Sequence, residues 1–442
     1  MPRIDECDVL VIGGGPAGST VATLLARQGR RVVMLEKDRH PRFHIGESLL
    51  PGSLDLLEKL GVREEIDRIG MAKYGVEFVP PDSDERSYIE FAEGWDPSKN
   101  RAWQVRRSEF DEVLFRNAAR NGAIALEGAK VRQVDFDAGG AIVAARMDDG
   151  AQRSWRARYV VDASGRDTVL ANKFRCKRKN PRHNSTALYG HFRDARRLEG
   201  LHEGSVSICW FEHGWFWFIP LADGTTSVGA VCWAYYLKAR DKPLNEYFFD
   251  TIAMCPELHD RLRHATLVDD AVHATGNFSY DSTQSCGDRH LLVGDAFAFI
   301  DPMFSSGVFL AMQGAFDAVD VVAAALDRPA GYAAACRRYE RRMRVGPRDY
   351  SWFIYRVTNP TIRDMFMNPK NVFQAKRGLI ALLAADLDHG PAYRRSLFMF
   401  KVLYYAISVV NWRRTYAGWK RRRANIEDHG PLRGETVMPA DQ

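Results

Sequence analysis

The run Gly214–Pro220 reads Gly-Trp-Phe-Trp-Phe-Ile-Pro and places two indoles two positions apart. Residues two apart on a strand point to the same face, so Trp215 and Trp217 would form one bulky, dry surface. Such a surface suits a reactive species that has to be kept away from water. Ordinary core packing would use the same residues, so the pair needs support from elsewhere in the chain.

A glycine-rich segment near the start of the chain has the form of a dinucleotide-binding loop. Residues 8–12 predict a buried strand, and Gly13, Gly15 and Gly18 follow it in front of a helical pattern over residues 16–28. Glycines here permit a tight turn, a close approach of backbone to pyrophosphate, and close helix-to-strand packing. The pyrophosphate would accept hydrogen bonds from N–H groups at the helix start, where Ala17 lies.

Glu36 ends a second predicted strand over residues 31–35. A carboxylate at this place can accept hydrogen bonds from the hydroxyls of an adenosine ribose. Strand, loop, helix, strand and acid in this order predict a Rossmann-like α/β domain.

Composition places few limits on function. The chain has 442 residues, a formal charge of +6 and seven singly spaced cysteines. This length predicts two packed lobes, and unpaired cysteines favour a reducing compartment over disulfides or a metal site. Because the first apolar run is too short for a signal peptide and the longest one, 397–410, is too short to span a bilayer, we expect a cytoplasmic protein. No nucleic-acid partner is expected.

Two later segments, 159–165 and 291–295, each read as a strand followed by a small-residue turn. With the glycine loop, they make residues 7–330 resemble the FAD monooxygenases and reductases related to aromatic hydroxylases. The resemblance implies that Asp295 holds the ribityl chain of FAD and that Arg107, in the segment 103–111, contacts the cofactor. Residues 41–48 are similar to the cofactor-covering loop of that family, which implies further contacts from Arg42 and Ser48.

No second glycine fingerprint occurs, and Gly139-Gly140 reads as a hairpin turn. We therefore expect no dedicated NAD(P)H domain. Reducing power would come from a transiently docked nicotinamide or from a separate flavin reductase that supplies reduced FAD.

Two signatures make the chain resemble one branch of this superfamily, the flavin-dependent halogenases. The run Gly214–Pro220 matches their Gly-Trp-x-Trp-x-Ile-Pro signature, and residues 299–307 match Phe-x-x-Pro-x-x-Ser-x-Gly. Lys73 resembles the family lysine that receives the oxidised halogen. The resemblance implies that reduced FAD and O2 oxidise halide, held beside Ser306 and Gly307, to hypohalous acid. That acid would pass along an internal tunnel to Lys73, which directs electrophilic substitution on an arene.

One departure from the family pattern concerns the substrate. Halogenases of the tryptophan type carry a glutamate just before the Ser-x-Gly end of the second signature, where this chain has Phe304. Relatives that act on phenols and pyrroles also lack the acid, and these electron-rich rings need less help in losing a proton. We therefore expect a phenolic or pyrrolic substrate, either free or tethered to a carrier protein.

Two other functions are compatible with the same sequence. An FAD-dependent hydroxylase or an isoprenoid-type reductase would use the same domain without halide. The alternative that is not an enzyme is a flavin-binding scaffold without catalytic activity.

The predicted architecture is an α/β FAD-binding domain with an antiparallel-sheet substrate domain and a C-terminal helical cap. The FAD-binding domain would comprise residues 1–184, with inserted strands at about 73–110, and residues 282–345. The substrate domain would take 185–281 and the helical region 346–430, starting at a break at Gly346-Pro347, with a disordered tail at 431–442. The apolar stretch 397–410 and the following basic cluster predict either a buried capping helix or a docking surface for an acidic carrier protein or anionic lipid.

Overall fold

Two sheets of eight strands each organise the part of the chain that the structure describes. The structure is a computed structural model, and it describes residues 4–81, 85–276, 279–387 and 390–427.

The strands, in chain order, are β1 Asp5–Ile12, β2 Val32–Leu35, β3 Met71–Lys73, β4 Gly75–Val79, β5 Ser87–Glu90, β6 Ala102–Gln104, β7 Ile124–Leu126, β8 Ala129–Asp137, β9 Gly140–Met147, β10 Gln152–Asp162, β11 Lys177–Lys179, β12 Ser185–Arg193, β13 Val206–Phe211, β14 Gly214–Pro220, β15 Thr226–Trp233, β16 Thr266–Leu267, β17 His273–Thr275, β18 Tyr280–Ser282, β19 Cys286–Gly287, β20 His290–Leu292 and β21 Ala298–Phe299.

The helices are α1 Pro16–Arg27, α2 Ser53–Leu60, α3 Arg63–Ile69, α4 Arg107–Arg120, α5 Val169–Lys173, α6 Ala234–Lys238, α7 Leu244–Ala253, α8 Pro256–Arg261, α9 Ser306–Asp327, α10 Pro329–Ile354, α11 Pro360–Met367, α12 Ala375–Ala384, α13 Gly390–Val410 and α14 Trp412–Glu427.

The first sheet has the order β19-β20-β10-β1-β2-β7. Strands β20, β10, β1, β2 and β7 are mutually parallel, and the β8–β9 hairpin adds antiparallel strands beside β10. The side chains of β1 from Val9 to Ile12 are buried, as expected for a parallel strand covered on both faces. Helices α1 and α9 pack on one face, so the predicted Rossmann-like domain is confirmed.

The second sheet has the order β16-β12-β15-β14-β13-β4-β5, with β17 also on β12. Its strands β12, β15, β14 and β13 pair antiparallel, which confirms the predicted antiparallel sheet. Strands β4 and β5 extend this sheet through a parallel pairing of β4 with β13. Strands β4 and β5, expected within an insertion of the FAD-binding domain, therefore belong structurally to the substrate sheet.

The predicted helix break at Gly346-Pro347 is wrong, because α10 continues through Pro347 to Ile354. Proline removes one helical N–H donor, but the packing of Tyr350 and Phe353 in the core holds the following turn in the helix. Helices α11 to α14 then cover the second sheet, and Leu379, Ile380 and Leu397 join its core.

Helix α13 is buried on only one side. Tyr393, Leu397, Phe400 and Tyr404 are buried, while other apolar side chains of the helix face outward. The expectation of a buried capping helix therefore holds for one side of α13. The predicted disordered tail, 431–442, lies outside the described residues.

Among the described residues, one helix, α9, is long and apolar enough to cross a membrane. Its apolar window is 61% buried inside the protein, and the helix packs against α1 and α10. Core packing accounts for its composition.

Candidate functional site

The glycine loop joins the end of β1 to the start of α1. Gly13 adopts a φ of +101°, and a Cβ on Gly18 would lie 1.9 Å from the carbonyl oxygen of Gly13, so both positions require glycine. Gly15 is the N-cap of α1, and no side chain caps the helix. The N–H groups at the start of α1 are therefore available to an anionic group, as a pyrophosphate contact through Ala17 requires.

Glu36 lies directly beside this loop. Its carboxylate accepts hydrogen bonds from the N–H of Gly14 at 2.7 Å and of Asp38 at 3.0 Å. Arg42 Nε lies 3.5 Å from the same carboxylate. The structure thus places Glu36 and Arg42 together beside the glycine loop.

Arg107 holds the segment 41–48 in place. It forms two hydrogen bonds to the carboxylate of Asp111, at 2.8 and 3.1 Å, and donates to the carbonyl oxygen of Ile45 at 3.0 Å. Burial raises the pKa of Asp111, but Arg107 and Arg42 outweigh it and bring the pKa below its ordinary value. A charged, buried network therefore fixes the loop that was predicted to cover the cofactor.

Asp295 follows β20 at the carboxyl end of the parallel sheet. Burial raises the pKa of its carboxyl to about 6, against the opposing effect of Arg166 and Arg107. A carboxyl at this edge can hydrogen-bond the hydroxyls of a polyol chain. Together with the uncapped start of α1 and the glycine cradle, these residues fit FAD.

Ser306 and Gly307 form the start of the 22-residue helix α9. The N-cap residue, Ser305, has a φ of +54° and its side chain caps no N–H group of the helix. A Cβ on Gly307 would meet only the ring of Phe299, at 4.0 Å. An uncapped helix start with open space beside a glycine can hold a small anion through backbone N–H groups.

Lys73, the last residue of β3, is buried with 1% of its surface exposed. Burial lowers the pKa of its amine to about 7. Its Nζ donates to the Oγ of Ser48 at 2.9 Å and to the carbonyl oxygen of Leu49 at 3.2 Å, and lies 5.4 Å from the ring centre of Phe91. An amine with this pKa exists in both protonation states near neutral pH.

Ser48 therefore lies at the lysine site. It was predicted as a contact of the cofactor, and in the structure its hydroxyl accepts the hydrogen bond of Lys73. Because Ser48 ends the segment 41–48, one short stretch of chain joins the cofactor residues to the amine.

A narrow cavity, with room for about one water molecule, adjoins Lys73. Its walls are otherwise apolar or hydroxylic and include no carboxylate: Leu50, Val76, Phe78, Val206, Ile208, Met303, Phe304, Ser305 and Leu383. Ser305 directly precedes the helix start with Ser306 and Gly307. The structure thus brings the amine of Lys73 to the same cavity as Ser305, the residue before the predicted halide site at Ser306 and Gly307.

The two indoles belong to the core cluster that surrounds this cavity. Trp215 and Trp217 are buried on the same face of β14, with ring centres 6.3 Å apart, and Trp217 Nε1 donates to Ser227 Oγ at 3.1 Å. Phe216 points to the opposite face and packs in another cluster. The predicted dry surface is therefore formed by the tryptophans without the phenylalanine between them.

The sequence did not indicate a buried histidine–carboxylate contact beside Ser48. The ring Nε2 of His191 lies 2.7 Å from Glu47 Oε1, and the second carboxylate oxygen of Glu47 has no hydrogen-bond partner among the described residues. The rings of Phe43 and His191 pack edge to face, with their centres 6.0 Å apart. Glu47 stands inside the segment 41–48, but nothing in the sequence pairs it with a histidine 144 positions later.

Similarity to known proteins identifies the family of the chain. The model of the FAD binding domain family matches residues 6–345. Flavin-dependent halogenase rdc2 of Metacordyceps chlamydosporia is 34% identical over 373 residues, which cover 76% of this chain and 67% of the relative. The chain belongs to the flavin-dependent halogenases.

Two solved structures resemble the whole fold of this halogenase. The myxobacterial chondrochloren halogenase CndH has a TM-score of 0.76 at 30% identity, with 90% of this chain and 97% of that chain covered. A flavoprotein/dehydrogenase from Cytophaga hutchinsonii has a TM-score of 0.83 at 26% identity, with 92% and 100% covered. The halogenase is thus an FAD-dependent oxidoreductase whose fold includes the C-terminal helical cap.

Proposed function

We propose that this halogenase transfers an oxidised halogen, through the amine of Lys73, to a phenolic or pyrrolic substrate. The observation that carries the proposal is the cavity shared by Lys73 and Ser305, inside an apolar core to which Trp215 and Trp217 also belong. Bound FAD, supplied in reduced form by a separate reductase, provides with O2 the oxidising power that turns halide into hypohalous acid.

The chain's own residues would control where that acid goes. Backbone N–H groups at Ser306 and Gly307 hold the halide, while Trp215 and Trp217 exclude water and keep an arene away from the flavin. The neutral amine of Lys73 attacks the halogen, so an N–halogen bond forms, the O–halogen bond breaks and water leaves. The arene then takes the halogen from nitrogen, and the proton lost from its ring returns to the amine.

The choice of substrate rests on the residue at position 304. Phe304 is buried, lines the cavity and packs against Tyr350 and Phe353, so it offers no base to an indole benzo ring. Electron-rich phenols and pyrroles need none. We propose that the substrate is either free or tethered to a carrier protein, and that the enzyme acts in the cytoplasm.

The test supplies a flavin reductase, FAD, NADH and bromide with a simple phenol or pyrrole and looks for the isotope doublet of a brominated product. Lys73→Met, which keeps the side-chain volume, should abolish the product while peroxide formation continues. Lys130→Met, at an exposed position of β8, is the matched control and should retain activity. Hydroxylated product without bromide incorporation, or exclusive bromination of free tryptophan, would overturn the proposal.

A further inference from the structure

The outer side of the last two helices carries an apolar stripe that the halogenation site does not use. Its members are all exposed and follow each other at alternating intervals of four and three residues: Phe398, Val402, Tyr405, Val409, Trp412, Tyr416 and Trp419. This interval places side chains on one face of a helix. We call this set the C-terminal stripe.

The stripe is continuous across the junction between α13 and α14. Asn411 N–H donates to the carbonyl oxygen of Ile407 at 2.9 Å, and Thr415 N–H donates to that of Asn411 at 3.0 Å. These are helical i to i−4 bonds, so the helical path is maintained through the junction. Val409 and Trp412 therefore follow each other along one surface.

Contacts with the rest of the protein hold α13 and α14 so that the stripe faces outward. Leu397 and Phe400 of α13 pack in the core on the opposite side. In α14, the guanidinium of Arg422 lies 5.2 Å from the ring centre of Trp233 and 5.5 Å from that of Tyr355. None of the side chains of α14 that the structure describes is fully buried, so this helix forms a ridge.

The charged residues of α13 and α14 are all basic except Glu427 at the end of α14. Residues 390–426 contain nine basic residues and no aspartate or glutamate: Arg394, Arg395, Lys401, Arg413, Arg414, Lys420, Arg421, Arg422 and Arg423. Two of these, Lys401 and Arg414, reach carboxylates of the body, Asp349 and Asp364. Arg413 and Arg423 lie beside the rings of Trp412 and Trp419. The surface is complementary to an anionic partner.

The types of residue distinguish among anionic partners. Five of the seven stripe residues are aromatic, and tryptophan and tyrosine with flanking arginine suit the interface of a lipid bilayer. A seam between helices prefers aliphatic side chains at such positions. A second copy of the chain would oppose basic residues to basic residues.

We propose that the C-terminal stripe is a peripheral docking site for an anionic lipid bilayer. The rings and valines of the stripe enter the headgroup region, and the surrounding arginines and lysines contact lipid phosphates. The helical cap that closes the Lys73 cavity on its inner side thereby faces a membrane on its outer side.

Sedimentation of the full chain with vesicles tests the proposal. Binding should be at least about tenfold stronger to phosphatidylcholine vesicles that contain phosphatidylglycerol than to phosphatidylcholine alone, and should weaken with salt. The triple variant Trp412→Ser, Tyr416→Ser, Trp419→Ser should lose at least about tenfold of this binding. Leu201→Ser, at an isolated exposed apolar residue, is the matched control and should bind as the unchanged chain does.

A second measurement needs no variant. Vesicles with brominated acyl chains should quench part of the tryptophan fluorescence of the unchanged chain, and unbrominated vesicles should not. A chain that remains in the supernatant with every vesicle overturns the proposal. So does a dimer, or a complex with an acidic carrier protein, that the triple variant abolishes while vesicles show no binding.

Discussion

The Nζ of Lys73 and the Oγ of Ser48 lie 2.9 Å apart, and this contact joins the two halves of the site. Ser48 ends the segment 41–48, which Arg107 holds through the carbonyl oxygen of Ile45. Because the amine is hydrogen-bonded to the same loop that adjoins the cofactor residues, its position depends on how that loop is held.

Halogenation should increase as pH rises through about 7. The pKa of Lys73 is lowered to about 7 by burial, and the neutral amine is the form that can attack a halogen. The measurement is single-turnover product formation with preformed hypobromite across this range, which bypasses the flavin steps. A rate that falls above pH 7 would show that the ammonium acts instead.

In Ser48→Ala the rise of the halogenation rate with pH should occur at a pH lower by roughly one unit. The hydroxyl accepts a hydrogen bond from the ammonium, so its removal disfavours the charged form and lowers the pKa of Lys73. Ser53→Ala is the control, because Ser53 is also buried and its Oγ has no hydrogen-bond partner within the described part of the chain. The same pH dependence of the rate in Ser48→Ala as in the unchanged chain would argue against this contact.

Lys73→Met should stabilise the protein below pH 7. In the unfolded chain this lysine titrates at its ordinary 10.5 and in the folded chain at about 7, so between these values the unfolded state binds more protons. Stability of the unchanged chain therefore rises with pH from 7 toward 10.5, and the buried charge costs roughly 5 kcal/mol below 7. The urea concentration at the midpoint of unfolding should be higher for the variant than for the unchanged chain at pH 6. The difference should be smaller at pH 9.5.

Trp217→Phe should let oxidant escape. Phenylalanine leaves part of the indole volume empty and loses the hydrogen bond to Ser227, so water gains access to the apolar core. The ratio of brominated product to NADH consumed should fall, and a soluble trap for hypohalous acid should collect the difference. Ser227→Ala removes the hydrogen bond alone and should retain most of the product.

Gly18→Ala should abolish FAD binding. The added Cβ would lie 1.9 Å from the carbonyl oxygen of Gly13, so the loop would have to move away from the pyrophosphate position. Titration with FAD measures the loss. Gly331→Ala, whose added Cβ would meet nothing within 4 Å, should bind FAD normally.

The sequence predicted the elements whose local pattern is strong. The loop from Gly13 to Gly18 and the strand with Trp215 and Trp217 have local signals, whereas the role of Lys73 was expected from the family resemblance. The partner of Glu47, the contact between Ser48 and Lys73, and the pairing of β4 with β13 depend on contacts between distant residues. No local pattern specifies such pairings.

The break expected at Gly346-Pro347 failed for a related reason. Local chemistry predicts an end to the helix, but Tyr350 donates to the carbonyl oxygen of Leu382 and is fully buried, so packing in the cap decides the conformation. Tertiary contacts of this strength override the preference of a single proline.

The uninterrupted α10 has a mechanical consequence. Near its middle Tyr339 donates to the carbonyl oxygen of Leu292, beside the cofactor strands, and near its C-terminal end Tyr350 is anchored to α12. One continuous helix therefore connects the cofactor-binding sheet to the helical cap. Because the cavity beside Lys73 is too small for an aromatic ring and Leu383 of α12 lines it, side chains around the cavity would have to move before an arene could reach the amine.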